Sequence, residues 1–119
     1  DSLKAEASVR KPNLRLKKIL VSGGITTKSV RKIVERDVLG ANNCLQITVG
    51  QVPGHKGEIG FRLIISPDGK VKEVRVTKGK VKDKTFLRCL TRTLQSLQLP
   101  ATADHREAAV TLIFELAWL

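Results

Sequence analysis

The run Ile59-Gly60-Phe61-Arg62-Leu63-Ile64-Ile65-Ser66-Pro67-Asp68-Gly69, followed by Val74 and Val76, decides how this chain is read. Ile59, Phe61, Leu63 and Ile65 recur at strict period two, which aligns them on one face of a β-strand. Ser66-Pro67-Asp68-Gly69 then reverses the chain, because proline fixes φ and glycine can take the left-handed position a tight hairpin needs. Val74 and Val76 continue the apolar face on the return strand. Val71 is out of phase with them, so a bulge is expected just after the turn.

Helical patterns flank this hairpin. Upstream, Thr26 and Thr27 offer a cap before Val30, Val34, Val38, Ala41 and Leu45, which recur at three- and four-residue steps with Ile33 and Cys44 alongside. Gly40 falls inside that pattern, and a kink or an end is expected there. Gln51 to Gly57, with Pro53 and Gly54, reads as a loop. Downstream, Asp83 can cap a helix whose apolar face is Phe86, Leu90, Leu94 and Leu97, stopped by Pro100.

The outermost elements are strands. Leu14, Leu16, Ile19 and Val21 alternate imperfectly up to Gly23-Gly24, and Val110, Leu112, Phe114, Leu116 and Trp118 alternate cleanly to the end. The expected order is strand, helix, strand, strand, helix, strand. This is an α+β fold with two helices packed on one face of a three- to four-stranded, mainly antiparallel sheet. Residues 1–13 read as a basic tail or linker and residues 14–119 as one domain.

Composition narrows the function. Hydrophobic residues make up 41% and aromatics 3%, so the chain should fold around an aliphatic core. Lys and Arg number 22 against 11 Asp and Glu, a formal charge of +11 that attracts polyanions. The cations form two groups, one with Lys28, Arg31, Lys32 and Arg36 and one with Lys78, Lys80, Lys82 and Lys84. A solvated face is the simplest account of both, and a basic contact patch is the functional one. Phe61, Phe86, Phe114 and Trp118 all fall on expected core faces, which leaves none to stack on bases. No nucleic acid is expected as a partner, although a basic nucleic-acid-binding domain of the cytoplasm is the alternative reading.

Cys44 and Cys89 each lie on the apolar stripe of a helix. A bond between them would close a loop of about 45 residues and stabilise the fold by roughly 4 kcal/mol in the chain-entropy model. It would also require an oxidising compartment. Two buried free thiols are the alternative. His55 and His105 lack metal-ligand spacing with the cysteines, and no serine lies in a nucleophile elbow. No enzyme activity, metal, cofactor or small-molecule substrate is therefore expected. No apolar run is long enough to span a bilayer. The chain opens at Asp1 without Met, and we expect a mature product or excised domain whose membrane anchor would lie upstream.

From Val21-Ser22-Gly23-Gly24 to Leu119 the chain resembles the TonB-like C-terminal domain of myxobacterial gliding-motility envelope proteins. The matching pieces are Ser29-Val30-Arg31-Lys32-Ile33, Cys44, Gly57-Glu58-Ile59-Gly60-Phe61, Ser66-Pro67-Asp68-Gly69-Lys70-Val71, Phe86-Leu87-Arg88-Cys89, Leu97-Gln98-Leu99-Pro100 and the closing strand. The family often has aromatic residues beside the first cysteine, where this chain has Asn43 and Leu45. The resemblance implies a periplasmic, non-enzymatic module of an inner-membrane-anchored protein. Such a module couples an energised motor complex to outer-membrane or periplasmic protein segments. It implies binding by strand addition at the edge of the last strand, which would place Val110, Thr111, Leu112, Ile113, Phe114, Glu115, Leu116, Ala117 and Trp118 at the contact. The competing expectation is that the first strand already covers that edge.

Overall fold

The computed structural model describes residues 12–39, 44, 56–79 and 84–118. The elements are β1 (Pro12–Ser22), α1 (Thr27–Val34), a π-helical turn (Glu35–Leu39), β2 (Lys56–Ile65), β3 (Val71–Gly79), α2 (Lys84–Gln95) and β4 (Ala108–Trp118). The four strands form one sheet in the order β1-β4-β2-β3, and every neighbouring pair is antiparallel. The molecule is thus α+β, with both helices contributing to a core on one face of the sheet.

The alternation read from the sequence is what buries that face. Ile59, Phe61, Leu63 and Ile65 on β2 and Val110, Leu112, Phe114 and Leu116 on β4 are all at most 1% exposed. Val30 and Val34 from α1 and Phe86, Leu90 and Leu94 from α2 close over them. Phe61 and Phe114 meet edge to face at the centre, with ring centroids 6.1 Å apart. The imperfect alternation in β1 has a mechanical cause. The register slips at Lys17, between Leu16 and Lys18, and this turns Leu14, Leu16, Ile19 and Val21 all inward.

The irregularity expected after the hairpin is present. Ile65 pairs with Val71 and Ile64 with Glu73, so Lys72 is the extra residue. Gly69 sits at φ 92°, and a Cβ there would lie 2.0 Å from the Leu99 carbonyl oxygen, so the turn tolerates only glycine. Thr26 caps α1 by accepting from the Ser29 amide at 3.1 Å. The first helix leaves α geometry at Glu35, where the π-helical turn begins. Val30, Val34 and Val38 are spaced by four and all buried, and an α-helix would rotate each step off the stripe by about 40°. A widened turn restores the alignment. Gly40 and Asp83 lie outside the described residues.

Cys44 and Cys89 form a disulfide with Cα atoms 5.6 Å apart. One turn beyond Cys89, Thr93 donates its hydroxyl to the Cys89 carbonyl at 3.0 Å and contacts Cys44 Sγ at 3.6 Å.

Candidate protein-docking edge

Strand order decides where a partner strand could add. β4 lies inside the sheet, paired with β1 from Pro12↔Trp118 to Ser22↔Ala109 and with β2 from Lys56↔Ala117 to Ile65↔Ala108. The expectation of an open edge at Val110 to Trp118 is therefore corrected. Val110, Thr111, Leu112, Ile113, Phe114, Glu115, Leu116 and Ala117 are paired on both sides, and Trp118 is paired with Pro12 of β1. The physical reason is apolarity, because a strand with four fully buried residues is best covered when it has a neighbour on each side. A signal for this was present in the chain. Of the outward side chains on β4, Ala109, Thr111 and Ile113 are uncharged and Glu115 is acidic, whereas β1 has Arg15, Lys17 and Lys18 and β3 has Lys72, Arg75 and Lys78. Basic residues are thus concentrated on the two outer strands, although the interior β2 also carries Arg62 outward.

Among the described residues β1 and β3 have no further strand neighbour, and these two edges differ in cover. On β1 the inward Leu14 and Ile19 are buried beneath the helical layer. On β3 the run from Arg75 to Gly79 is exposed throughout. Val76 pairs with the fully buried Phe61, yet it is 49% exposed. A second bulge accounts for part of this geometry. Gly60 pairs with Lys78 and Phe61 with Val76, leaving Thr77 extra, and a Cβ on Gly60 would lie 2.8 Å from Thr77 Oγ1.

The outer face of the sheet, away from the helices, is laced with charge. Glu58 and Glu115 stand directly opposite each other on β2 and β4, an unfavourable like-charge pair. Three cations offset it. Arg15 donates to Glu115 at 2.7 Å, Lys78 donates to Glu58 at 2.6 Å, and Lys17 donates to the other Glu58 oxygen. The hydrogen bond from Lys17, then that from Lys78, holds the Glu58 carboxyl down to about 2. The Lys17 ammonium is raised in turn, chiefly by its hydrogen bond to Glu58. Lys72 is likewise raised by donating to Glu107 at 2.7 Å.

One pair on this face is left unresolved. Arg62 on β2 stands directly opposite Arg75 on β3, next to the pair Ile64↔Glu73. These four residues line a shallow pocket of about 330 Å³. Glu73 accepts from Arg75 Nε at 2.7 Å, while Arg62 makes no ion pair among the described residues.

The basic residues named from the sequence do not form one patch. Lys28, Arg31, Lys32 and Arg36 are exposed on α1 and the π turn, and Arg36 binds the neighbouring Asp37 through Nε at 2.7 Å and Nη2 at 3.0 Å. Lys84 opens α2. Lys78 belongs to the opposite face of the sheet, where Glu58 engages it. Lys80 and Lys82 lie outside the described residues, as does His55. His105 is exposed in the loop before β4 at φ 57°. Among the described residues no group of three or more His, Cys, Asp or Glu could hold a metal ion, and no helix is long and apolar enough to cross a membrane.

No family model, curated protein or solved structure matches the chain.

Proposed function

We propose that this chain is a non-enzymatic protein-binding domain that accepts an extended partner segment along the free edge of β3. The observation that carries the reading is the exposed run Arg75 to Gly79, with Val76 left half-open beside a buried aromatic core. An unpaired edge presents alternating backbone donors and acceptors, so an added strand gains a ladder of hydrogen bonds with side chains on both faces for selectivity. Such a ladder spreads a load along the strand over several bonds at once. That property suits a domain that transmits force.

The fuller form of the proposal is a TonB-like periplasmic domain of an inner-membrane-anchored protein, coupling an energised complex to outer-membrane or periplasmic partners in gliding motility. The residue resemblance supports it, as does the Cys44–Cys89 bond, since disulfides persist in oxidising compartments and are rare in the cytosol. The same bond weighs against a cytoplasmic nucleic-acid binder.

Amide chemical-shift mapping with extended peptides from candidate envelope partners tests the proposal. Shifts should concentrate on β3 and the adjoining β2 amides. Peptides N-methylated at alternate residues should lose binding, because they cannot complete the ladder. Shifts confined to α1, with β3 silent, would refute it.

A further inference from the structure

We infer that Arg62 and Arg75 form a carboxylate-binding subsite beside the β3 edge, so that the segment docking there alternates acidic and apolar residues. This rests on the β3-edge reading and adds the chemistry of the partner to it.

The starting point is a conflict on the outer sheet face that the chain resolves in one place and not in another. Where Glu58 faces Glu115, Arg15, Lys17 and Lys78 surround the two carboxylates. Where Arg62 faces Arg75, the pocket they line holds a single carboxylate, Glu73, and it engages only Arg75 Nε. Like charges directly opposite on neighbouring strands destabilise a sheet. The pocket is therefore short of one negative group. A carboxylate is the fitting guest, because guanidinium presents paired N–H donors that match its two oxygens.

Strand geometry says where that carboxylate would come from. An added strand lies about 4.8 Å beyond β3 and turns successive side chains to opposite faces. A residue opposite Arg75 would point to the outer face, into the space beside Arg62 and Arg75. Its two neighbours would point the other way, towards Val74 and the half-open Val76. The pattern selected is apolar, acidic, apolar.

The same residues disfavour a second copy of this chain in the register that would fill the pocket. Antiparallel self-pairing centred on Arg75 would set Arg75 against Arg75 and Lys72 against Lys78. Charge thus opposes self-pairing centred on Arg75 and favours an acidic partner there.

The test uses two nine-residue peptides, one alternating Val with Glu and one alternating Val with Gln, with binding read by fluorescence anisotropy and location by amide shifts. The Glu peptide should bind about tenfold more tightly, R62Q should remove most of that difference, and the Gln peptide should be indifferent to R62Q. Because Arg62 is exposed and has no ion-pair partner among the described residues, R62Q should keep the fold, which its amide spectrum checks directly. Equal shifts of β3 by both peptides, with no response to R62Q or R75Q, would overturn the subsite and leave the edge reading standing. Silence of β3 with both peptides would remove the edge reading and this inference together. Glu-peptide shifts centred on Lys28, Arg31 and Lys32 would show general charge attraction and overturn the inference as well.

Discussion

β4 and β3 are both eleven- or nine-residue strands with inward apolar side chains, yet one is the centre of the molecule and the other its rim. β4 has two ladders, four inward residues at no more than 1% exposure and almost no outward charge. β3 has one ladder, two bulges, exposed lysines and a valine half in water. The contrast teaches that period-two alternation announces a strand but not its place in the sheet, and outward charge is only a partial guide, since the interior β2 carries Glu58 and Arg62 outward.

Mutations can probe how deep the contrast runs. The largest effect is expected for F114A on β4, which empties the space against Phe61 and should cost about 3–5 kcal/mol in urea unfolding. Next, breaking the Cys44–Cys89 link by reduction, or in the C44S/C89S variant, should cost about 2–4 kcal/mol by the same measurement, because it frees a loop with a sequence separation of 45.

The Glu58 row comes third. Its carboxyl sits at about 2 in the fold against 4.5 for a free glutamate, so the unfolded chain binds the proton first. The stabilisation is complete above about pH 4.5 and is lost as the pH falls towards 2. Thermal unfolding should show that decline in the native protein, and E58Q should flatten it. High salt should shrink the difference, since the participants are solvent-accessible. The smallest effect is expected on the rim. V76T should change stability by about 0.5 kcal/mol or less while weakening the uptake of an apolar-acidic peptide, measured by anisotropy. A stability loss at Val76 comparable with that at Phe114 would erase the distinction between the two strands.

Much of this was legible in the chain. The hairpin and both helices follow from local periodicity, which also sets Cys44 and Cys89 on apolar stripes, while their bond was one of two readings beside buried free thiols. The pairing of β1 with β4 was one of two competing expectations and could not be decided, since it joins residues as distant as Arg15 and Glu115 and nothing local encodes it. The uncharged outward residues Thr111 and Ile113 were the available clue. The Arg62–Arg75 opposition lay closer to reach. Placing the bulge at Lys72 and counting back from Ile65↔Val71 gives that pair, whereas an unbroken register would set Arg62 against Val74. The docking of the segment after α2 onto the turns uses buried Leu97 and Leu99 and a hydrogen bond from Gln98 Nε2 to the Asp68 carbonyl at 3.1 Å, but its backbone contacts had no side-chain signal. Leu99 donates to the Gly69 carbonyl at 2.9 Å, Thr102 to Pro67 at 3.0 Å and Ala103 to Gly24 at 2.9 Å, all through backbone amides that any sequence carries.

The pairing of the first strand with the last also sets a schedule. A ribosome releases β1 early, but its neighbour in the sheet is made about a hundred residues later. Until then β1 has no template, and β2 lacks one of its two flanks. The sheet closes in a single late event, so a nascent chain halted before Ala108 should remain protease-sensitive however long it waits.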